Sequence, residues 1–287
     1  MRALGPLRSL LFAPAVRPDF IAKLADRGAD AVVIDCEDAT PANAKAEGRA
    51  NARALAPDLA AAGAQVLVRV NAQPSEWFAD DVRDGLAAEL AAVVVPKVET
   101  MAGLDAVSDA LDAAGFDDLG VLAGIETALG VADARPLLAH PRVVGAYFGA
   151  EDFIADMGGV RTAGNHEVAF ARAAVALAGR LAGVPTLDQI VADFRDDDRC
   201  AREAAEARAL GYAGKLCIHP GQVAIATTAF VPSADEVDRA RRLLDAYEAA
   251  AAAGIAAIDF EGQMVDEPLA AQARRVLDLA RPHQEGT

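Results

Sequence analysis

The chain has 287 residues, 53% hydrophobic with alanine prominent and only 5% aromatic, and a formal net charge of −16. This length and apolar content suit one large core, in the range where α/β barrels run as single units. The acidic balance excludes a general nucleic-acid surface, which needs clustered Lys and Arg, and no apolar run of about 18 residues offers a transmembrane helix.

Ser9 to Pro14 reads as a first strand, although Arg8 to Ala15 faintly resembles a short signal peptide with a small-x-small end. A helix near Pro18 to Arg27 follows. The second strand is Ala31 to Asp35, with a helix over about Ala42 to Ala61. The third is Gln65 to Val70, with a short helix around Asp80 to Glu89. The fourth is Ala92 to Val95, with a helix from about Gly103 to Ala113. The fifth is Gly120 to Ile125, with a helix ending near His140. The sixth is Val143 to Phe148, followed by a long loop and a helix over about Glu167 to Ala182. The seventh is Pro185 to Ile190, with a helix over Arg199 to Leu210, and the eighth is Gly214 to Ile218.

Eight apolar runs alternating with helices imply parallel strands joined by crossovers. That count suits a closed (β/α)8 TIM barrel over residues 1–230 better than a doubly wound sheet. No Gly-x-Gly-x-x-Gly follows the first strand to mark a dinucleotide site. The remaining residues, 231–287, read as a helical C-terminal extension. Its helices are Asp235 to Ala253 and about Leu269 to Ala280, with an extended or looped stretch from Ile255 to Asp266 between them. The extension either covers the barrel bottom or reaches a neighbouring subunit. The three cysteines, Cys36, Cys200 and Cys217, have no metal-ligand spacing and cannot all pair, which suits reduced, cytosolic (cytoplasmic) thiols.

In a barrel the chemistry gathers where strands end. Here those ends carry Asp35-Cys36-Glu37-Asp38, Arg69-Val70-Asn71, Pro96-Lys97-Val98-Glu99, Glu126-Thr127, Gly149-Ala150-Glu151-Asp152 and His219-Pro220. Glu126 and Asp152 end adjacent strands and can reach one point. Two carboxylates with room for waters and substrate oxygens suit magnesium, and without a cation they would repel. The other reading gives each acid its own Lys or Arg. Arg69 offers a planar fork for a carboxylate or a developing enolate oxygen; an ion pair with Glu37 or Asp38 is compatible with that role. The small residues Gly149 and Ala150, with Glu151, let backbone N–H groups approach a bound carboxylate. Arg17 and Lys23 flank the first crossover helix and, with Lys97, are the basic groups available for cofactor phosphates. A solvated helix face is the alternative for the first two. Asp266 precedes Pro268 and reads, from the residues alone, as a helix N-cap. Neither Cys36 nor Cys217 has a base partner that would make it a nucleophile, and His219 reads as structural as readily as catalytic.

Taken in order, Arg8-Ser9-Leu10-Leu11-Phe12, Asp35-Cys36-Glu37-Asp38-Ala39, Val68-Arg69-Val70-Asn71, Pro96-Lys97-Val98-Glu99, Ile125-Glu126-Thr127, Phe148-Gly149-Ala150-Glu151-Asp152 and Gly214-Lys215 with Ile218-His219-Pro220 resemble the citrate lyase β-subunit-like family of the HpcH/HpaI aldolase group. The resemblance spans nearly the whole chain and extends to malyl-CoA and citramalyl-CoA lyases; Cys36 departs from the Leu or Phe common there. It implies a (β/α)8 barrel, usually a homotrimer or hexamer, with magnesium on Glu126 and Asp152 and substrate on Arg69. It also implies that Asp266 enters a neighbour's site as the proton-transfer group, which displaces the cap reading.

The expected reaction is retro-aldol cleavage of a 3-hydroxyacyl-CoA thioester, such as citramalyl-CoA or malyl-CoA, into acetyl-CoA and a 2-keto acid. Arg69 faces the developing oxyanion and Asp266 moves the α-proton. Gly149, Ala150 and Glu151 hold the keto-acid carboxylate, and Glu37 and Asp38 sit behind the metal through its waters. The alternatives are a citrate lyase β subunit acting on a citryl-acyl-carrier protein, a malyl-CoA thioesterase, and an inert barrel serving as a scaffold.

Overall fold

The computed structural model describes residues 1–280. By internal contacts the chain divides into two compact units, Met1–Phe230 and the residues from Val231 onward.

In the first unit eight strands close into a barrel: β1 Ser9–Pro14, β2 Ala31–Asp35, β3 Val66–Arg69, β4 Ala92–Val95, β5 Gly120–Ile125, β6 Val143–Phe148, β7 Thr186–Asp188 and β8 Gly214–Cys217. Each pairs in parallel with the next, and β8 returns to β1 through Leu10↔Leu216. The helices are α1 Pro18–Ile21, α2 Lys45–Ala61, α3 Phe78–Asp80, α4 Met101–Ala113, α5 Ala128–Ala132, α6 Ala134–Leu138, α7 Ala150–Asp156, α8 Ala169–Ala182, α9 Asp197–Leu210 and α10 Pro220–Ala229. The strands read as unbroken apolar runs because both of their faces are buried. One face meets the helices, as Val32, Ile34, Val68 and Val93 do. The other fills the barrel interior with Leu10, Val33, Leu67, Val94, Leu122, Tyr147, Leu187 and Leu216. The closed barrel expected from the strand count is therefore present, and five of the eight expected strands carry the expected bounds.

The differences lie in the connections. The first crossover is not one helix to Arg27: α1 stops at Ile21, and a 3-10 turn over Ala25–Arg27 ends at left-handed Gly28. The expected short helix at Asp80 to Glu89 is α3 running into a π-turn over Asp81–Gly85. The segment after β6 is not wholly a loop, because α7 starts directly at Ala150. Its signal was Glu151 and Asp152, acids in a first helical turn that favour the positive end of the helix dipole. Helix α10 was also missed. His219 caps it, accepting from the Gly221 N–H at 3.1 Å, with Pro220 in the first turn. His219 also stacks on Phe194 at 4.9 Å.

The second unit contains α11 Ala234–Ala252, a hairpin of β9 Ile258–Phe260 and β10 Gln263–Val265, and α12 Glu267–Ala280. Ser233 and Glu236 form a reciprocal capping box at the start of α11, satisfying two otherwise orphaned backbone N–H groups. The hairpin turns on Glu261 and Gly262, with φ of 54° and 80°. Two consecutive positive φ values are what a tight two-residue hairpin requires, and glycine adopts one at little cost. Leu243, Leu244, Tyr247, Val265, Ala270 and Ala273 form this unit's core.

Candidate active site

The C-terminal ends of β2 to β6 bring together five carboxylates and two cations. Asp35 closes β2 and Arg69 closes β3, directly paired in the parallel register. The Arg69 Nε and Nη2 donate to the two Asp35 oxygens at 2.7 and 2.6 Å, a bidentate fork that fixes the guanidinium plane. Its remaining nitrogen, Nη1, lies 3.1 Å from Glu37 Oε2. The expected ion pair with Glu37 is present. The stronger partner is Asp35, which sequence reasoning did not single out, and adjacency at the ends of neighbouring strands was the available signal. Two donors of Arg69 are thereby committed to Asp35, and Nη1 faces Glu37.

Lys97 follows β4 with a left-handed backbone, φ 51°, a conformation uncommon for a residue bearing a Cβ and concentrated at functional sites. This turn aims its backbone N–H at Glu126 Oε1, 2.9 Å away. It also sends Nζ to Glu37 at 2.6 Å, Asp152 at 3.3 Å and Asp38 at 3.5 Å. Neighbouring acids stabilise its charged form and raise its pKa despite burial.

Glu126 is buried at the end of β5. Its Oε1 accepts from Lys97 N and from the Tyr147 hydroxyl, each at 2.9 Å, while Oε2 accepts no hydrogen bond among the described residues. Burial, then the charges of Glu37 and Asp152, push its carboxyl up to about 7 against the opposing pull of Arg69 and Lys97. Gly149 makes room for it: a Cβ there would overlap Glu126 Oε2, as well as its Cβ at 2.6 Å. Asp152, in the first turn of α7, is partly exposed and projects to the same rim. Glu37 is buried and Asp38 exposed. Burial raises the Glu37 carboxyl, and its Oε2 has no hydrogen-bond partner.

A cation fits this donor set. Asp35, Glu37, Asp38, Glu126 and Asp152 exceed the positive charge of Arg69 and Lys97, and Glu126 Oε2 accepts no hydrogen bond among the described residues. Among the described residues no three or more His, Cys, Asp or Glu side chains form a ready-made metal cage. That leaves a site of one or two carboxylates, which suits magnesium and its retained waters.

The other expected site residues lie elsewhere. Arg17 is exposed, paired with Asp19 at 2.8 Å and stacked over Phe20, and Lys23 is exposed nearby. Lys97 does not accompany them, since its ammonium is engaged by the acid cluster. Ala150 is buried and Glu151 exposed, the latter paired with Arg161 at 3.0 Å. Asp266 belongs to the second unit, just before α12. Its backbone carbonyl accepts the first helical bond, but its buried Oδ1 accepts none, which is poor support for the N-cap reading. Cys36 and Cys217 are buried, and burial pushes the Cys217 thiol up to about 12, so neither is primed as a nucleophile.

A closed parallel barrel whose strand ends gather acids, a fixed arginine and a lysine defines the class as a (β/α)8-barrel enzyme. The chain belongs to the HpcH/HpaI aldolase/citrate lyase family, which it matches over residues 8–220. It is 51% identical to a citrate lyase subunit beta-like protein of Deinococcus radiodurans, over 94% of this chain and 96% of that one. It is 32% identical to the citrate lyase subunit beta of Escherichia coli, covering 95% and 93%. A mitochondrial citramalyl-CoA lyase of Rattus norvegicus is 28% identical, covering 98% and 88%. Among solved structures, CitE from Mycobacterium tuberculosis in complex with magnesium, acetoacetate and coenzyme A superposes with a TM-score of 0.82 at 32% identity, over 98% and 99% of the two chains.

Proposed function

We propose that the protein is a magnesium-dependent carbon–carbon lyase that cleaves, or forms, a 3-hydroxyacyl-CoA thioester of the citramalyl-CoA or malyl-CoA type. The observation that carries this is Glu126: a buried carboxylate with one oxygen tied down and the other accepting no hydrogen bond, beside Asp152. Glu126 and Asp152 would hold the magnesium. When bound, it would supply Lewis-acid polarisation of the substrate hydroxyl and neighbouring carboxylate.

The chain's own residues account for the rest. The Nη1 side of Arg69, its plane locked by Asp35, faces the oxygen on which negative charge develops as the carbon–carbon bond breaks. Lys97 neutralises Glu37 and Asp38, which stand behind the metal where its waters would lie. Backbone N–H groups at the start of α7, around Ala150 and Glu151, meet the carboxylate of the keto acid. Arg17 and Lys23, on the exposed first crossover, receive the phosphates of the cofactor. Asp266, its Oδ1 without a partner, delivers or removes the proton at the acyl α-carbon, entering the site from a neighbouring subunit of a homotrimer or hexamer.

A second reading, the β subunit of a citrate lyase acting on a citryl-acyl-carrier protein, is favoured by the Escherichia coli relative. Purified protein assayed on citramalyl-, malyl-, methylmalyl- and citryl-CoA, with and without magnesium and with products identified, separates these readings. The lyase reading predicts acetyl-CoA and a keto acid, only with magnesium. Free CoA without acetyl-CoA would make the protein a thioesterase, and turnover only on a carrier-protein thioester would make it a citrate lyase subunit.

A further inference from the structure

Tyr147 is a polar exception in the barrel interior. The other buried side chains of that cluster are aliphatic, all of them Leu, Val or Ala. A phenol in such surroundings needs a hydrogen-bond partner, because an unpaired buried hydroxyl is costly. Tyr147 finds it in Glu126 Oε1, 2.9 Å away. The backbone gives up side-chain volume to allow this, since a Cβ at Gly124 on the adjacent strand would overlap the Tyr147 hydroxyl.

The same Glu126 oxygen accepts the Lys97 N–H, also at 2.9 Å. Oε1 is thus held from two sides, by β6 and by the turn after β4. Oε2 accepts no hydrogen bond from the described residues and faces Gly149, one residue before α7 and three before Asp152.

We infer that Tyr147 is a positioning residue for the metal: with the Lys97 amide it pins Glu126 Oε1, so that Oε2 alone is offered to the cation. Tyr147 touches neither metal nor substrate and acts through Glu126. The inference rests on Glu126 being a ligand, and its test keeps the two claims apart.

Magnesium binding is measured calorimetrically on the full chain for wild type, Glu126→Gln and Tyr147→Phe. Glu126→Gln should abolish binding; binding at wild-type strength would sink the metal reading itself. Given that loss, Tyr147→Phe should bind magnesium about tenfold or more weakly, as removal of hydrogen bonds to metal ligands typically does. Its apparent KM for magnesium should rise by a similar factor, with kcat restored at saturating metal. A dissociation constant within about twofold of wild type would overturn the inference, since the effect of this hydrogen bond should exceed that margin. A phenol that only fills space would instead alter thermal stability and leave the metal titration unchanged. If Tyr147→Phe does not fold, proteins that keep Tyr147 still decide. Magnesium should perturb an ultraviolet tyrosine band that survives Tyr212→Phe and Tyr247→Phe, and no perturbation would contradict the role.

Discussion

Glu126 concentrates the electrostatics of the site. Its carboxyl titrates near 7 in the metal-free protein because it is buried and faced by Glu37 and Asp152. The folded state therefore holds a proton that the unfolded chain, with its ordinary value of 4.5, releases earlier. The associated stability is fully present below about pH 4.5 and is lost as pH rises through about 7. Magnesium competes with that proton, so its affinity should climb as pH rises through 7. Thermal unfolding should show a larger stabilisation by magnesium at about pH 8 than at about pH 6; the reverse order would remove Glu126 from the ligand set. Gly149 gives a steric test. Gly149→Ala should push the Glu126 carboxylate aside, weakening magnesium binding while lowering stability by roughly 1–3 kcal/mol, the usual cost of overpacking, as read by calorimetry and urea unfolding. At this scale the sequence was informative about type and position: Glu126, Asp152, Arg69 and Glu37 all reach the rim. It told less about pairing: the Arg69–Glu37 ion pair was among its expectations, but the Asp35 fork was not. The Asp35 fork had only the adjacency of two strand ends as its signal, and the Lys97 turn had none, because it depends on one unusual φ.

Among the elements, the strands were the most legible part, because burial on both faces leaves continuous apolar runs with little ambiguity of extent. The helices were less so. Helix α7 is only seven residues long, too short for a periodic pattern to emerge from Ala150 to Asp156, yet it carries Asp152. A second element-scale feature had no sequence signature. Lys215 on β8 and Asp188 on β7 are fully buried and 3.1 Å apart. Arg172 of α8 binds Asp188 through both oxygens at 2.8 Å, and Glu203 of α9 lies 3.5 Å from Lys215. Burial works against ionised Glu203, but Lys215 and the Arg199 hydrogen bond hold it down to about 2. This network ties α8 and α9 to the barrel wall. Lys215→Met would leave Asp188 with Arg172, and Glu203 with Arg199, as the remaining counter-charge, and should cost about 1–3 kcal/mol as hydrogen bonds to charged groups are lost, seen as a lower urea midpoint. An unchanged midpoint would mean the network contributes little.

For the whole molecule, the net charge of −16 sets the background. An anionic thioester of the kind proposed would approach against the overall field and depend on local cations; a bound divalent ion would add to Arg69 and Lys97. No helix among the described residues is long and apolar enough to cross a membrane. Closure of the barrel was legible because eight strands alternated with helices, whereas the role of the residues from Val231 onward was not, because a hairpin between two helices fits several uses. Asp266 is the test of that role. Asp266→Asn should retain magnesium binding and the assembly state but lose solvent proton exchange at the acyl α-carbon, followed by NMR. Exchange at the wild-type rate would remove it as the acid/base.

The central claim is that Glu126 and Asp152 jointly hold one divalent cation. It is tested most directly by soaking crystals in manganese and computing an anomalous difference map. The account predicts a single strong peak at the strand ends, about 2.1 Å from one oxygen of each side chain, with the Lys97 ammonium moved off Asp152. A map with no peak there, and Lys97 still paired with Asp152, would contradict it.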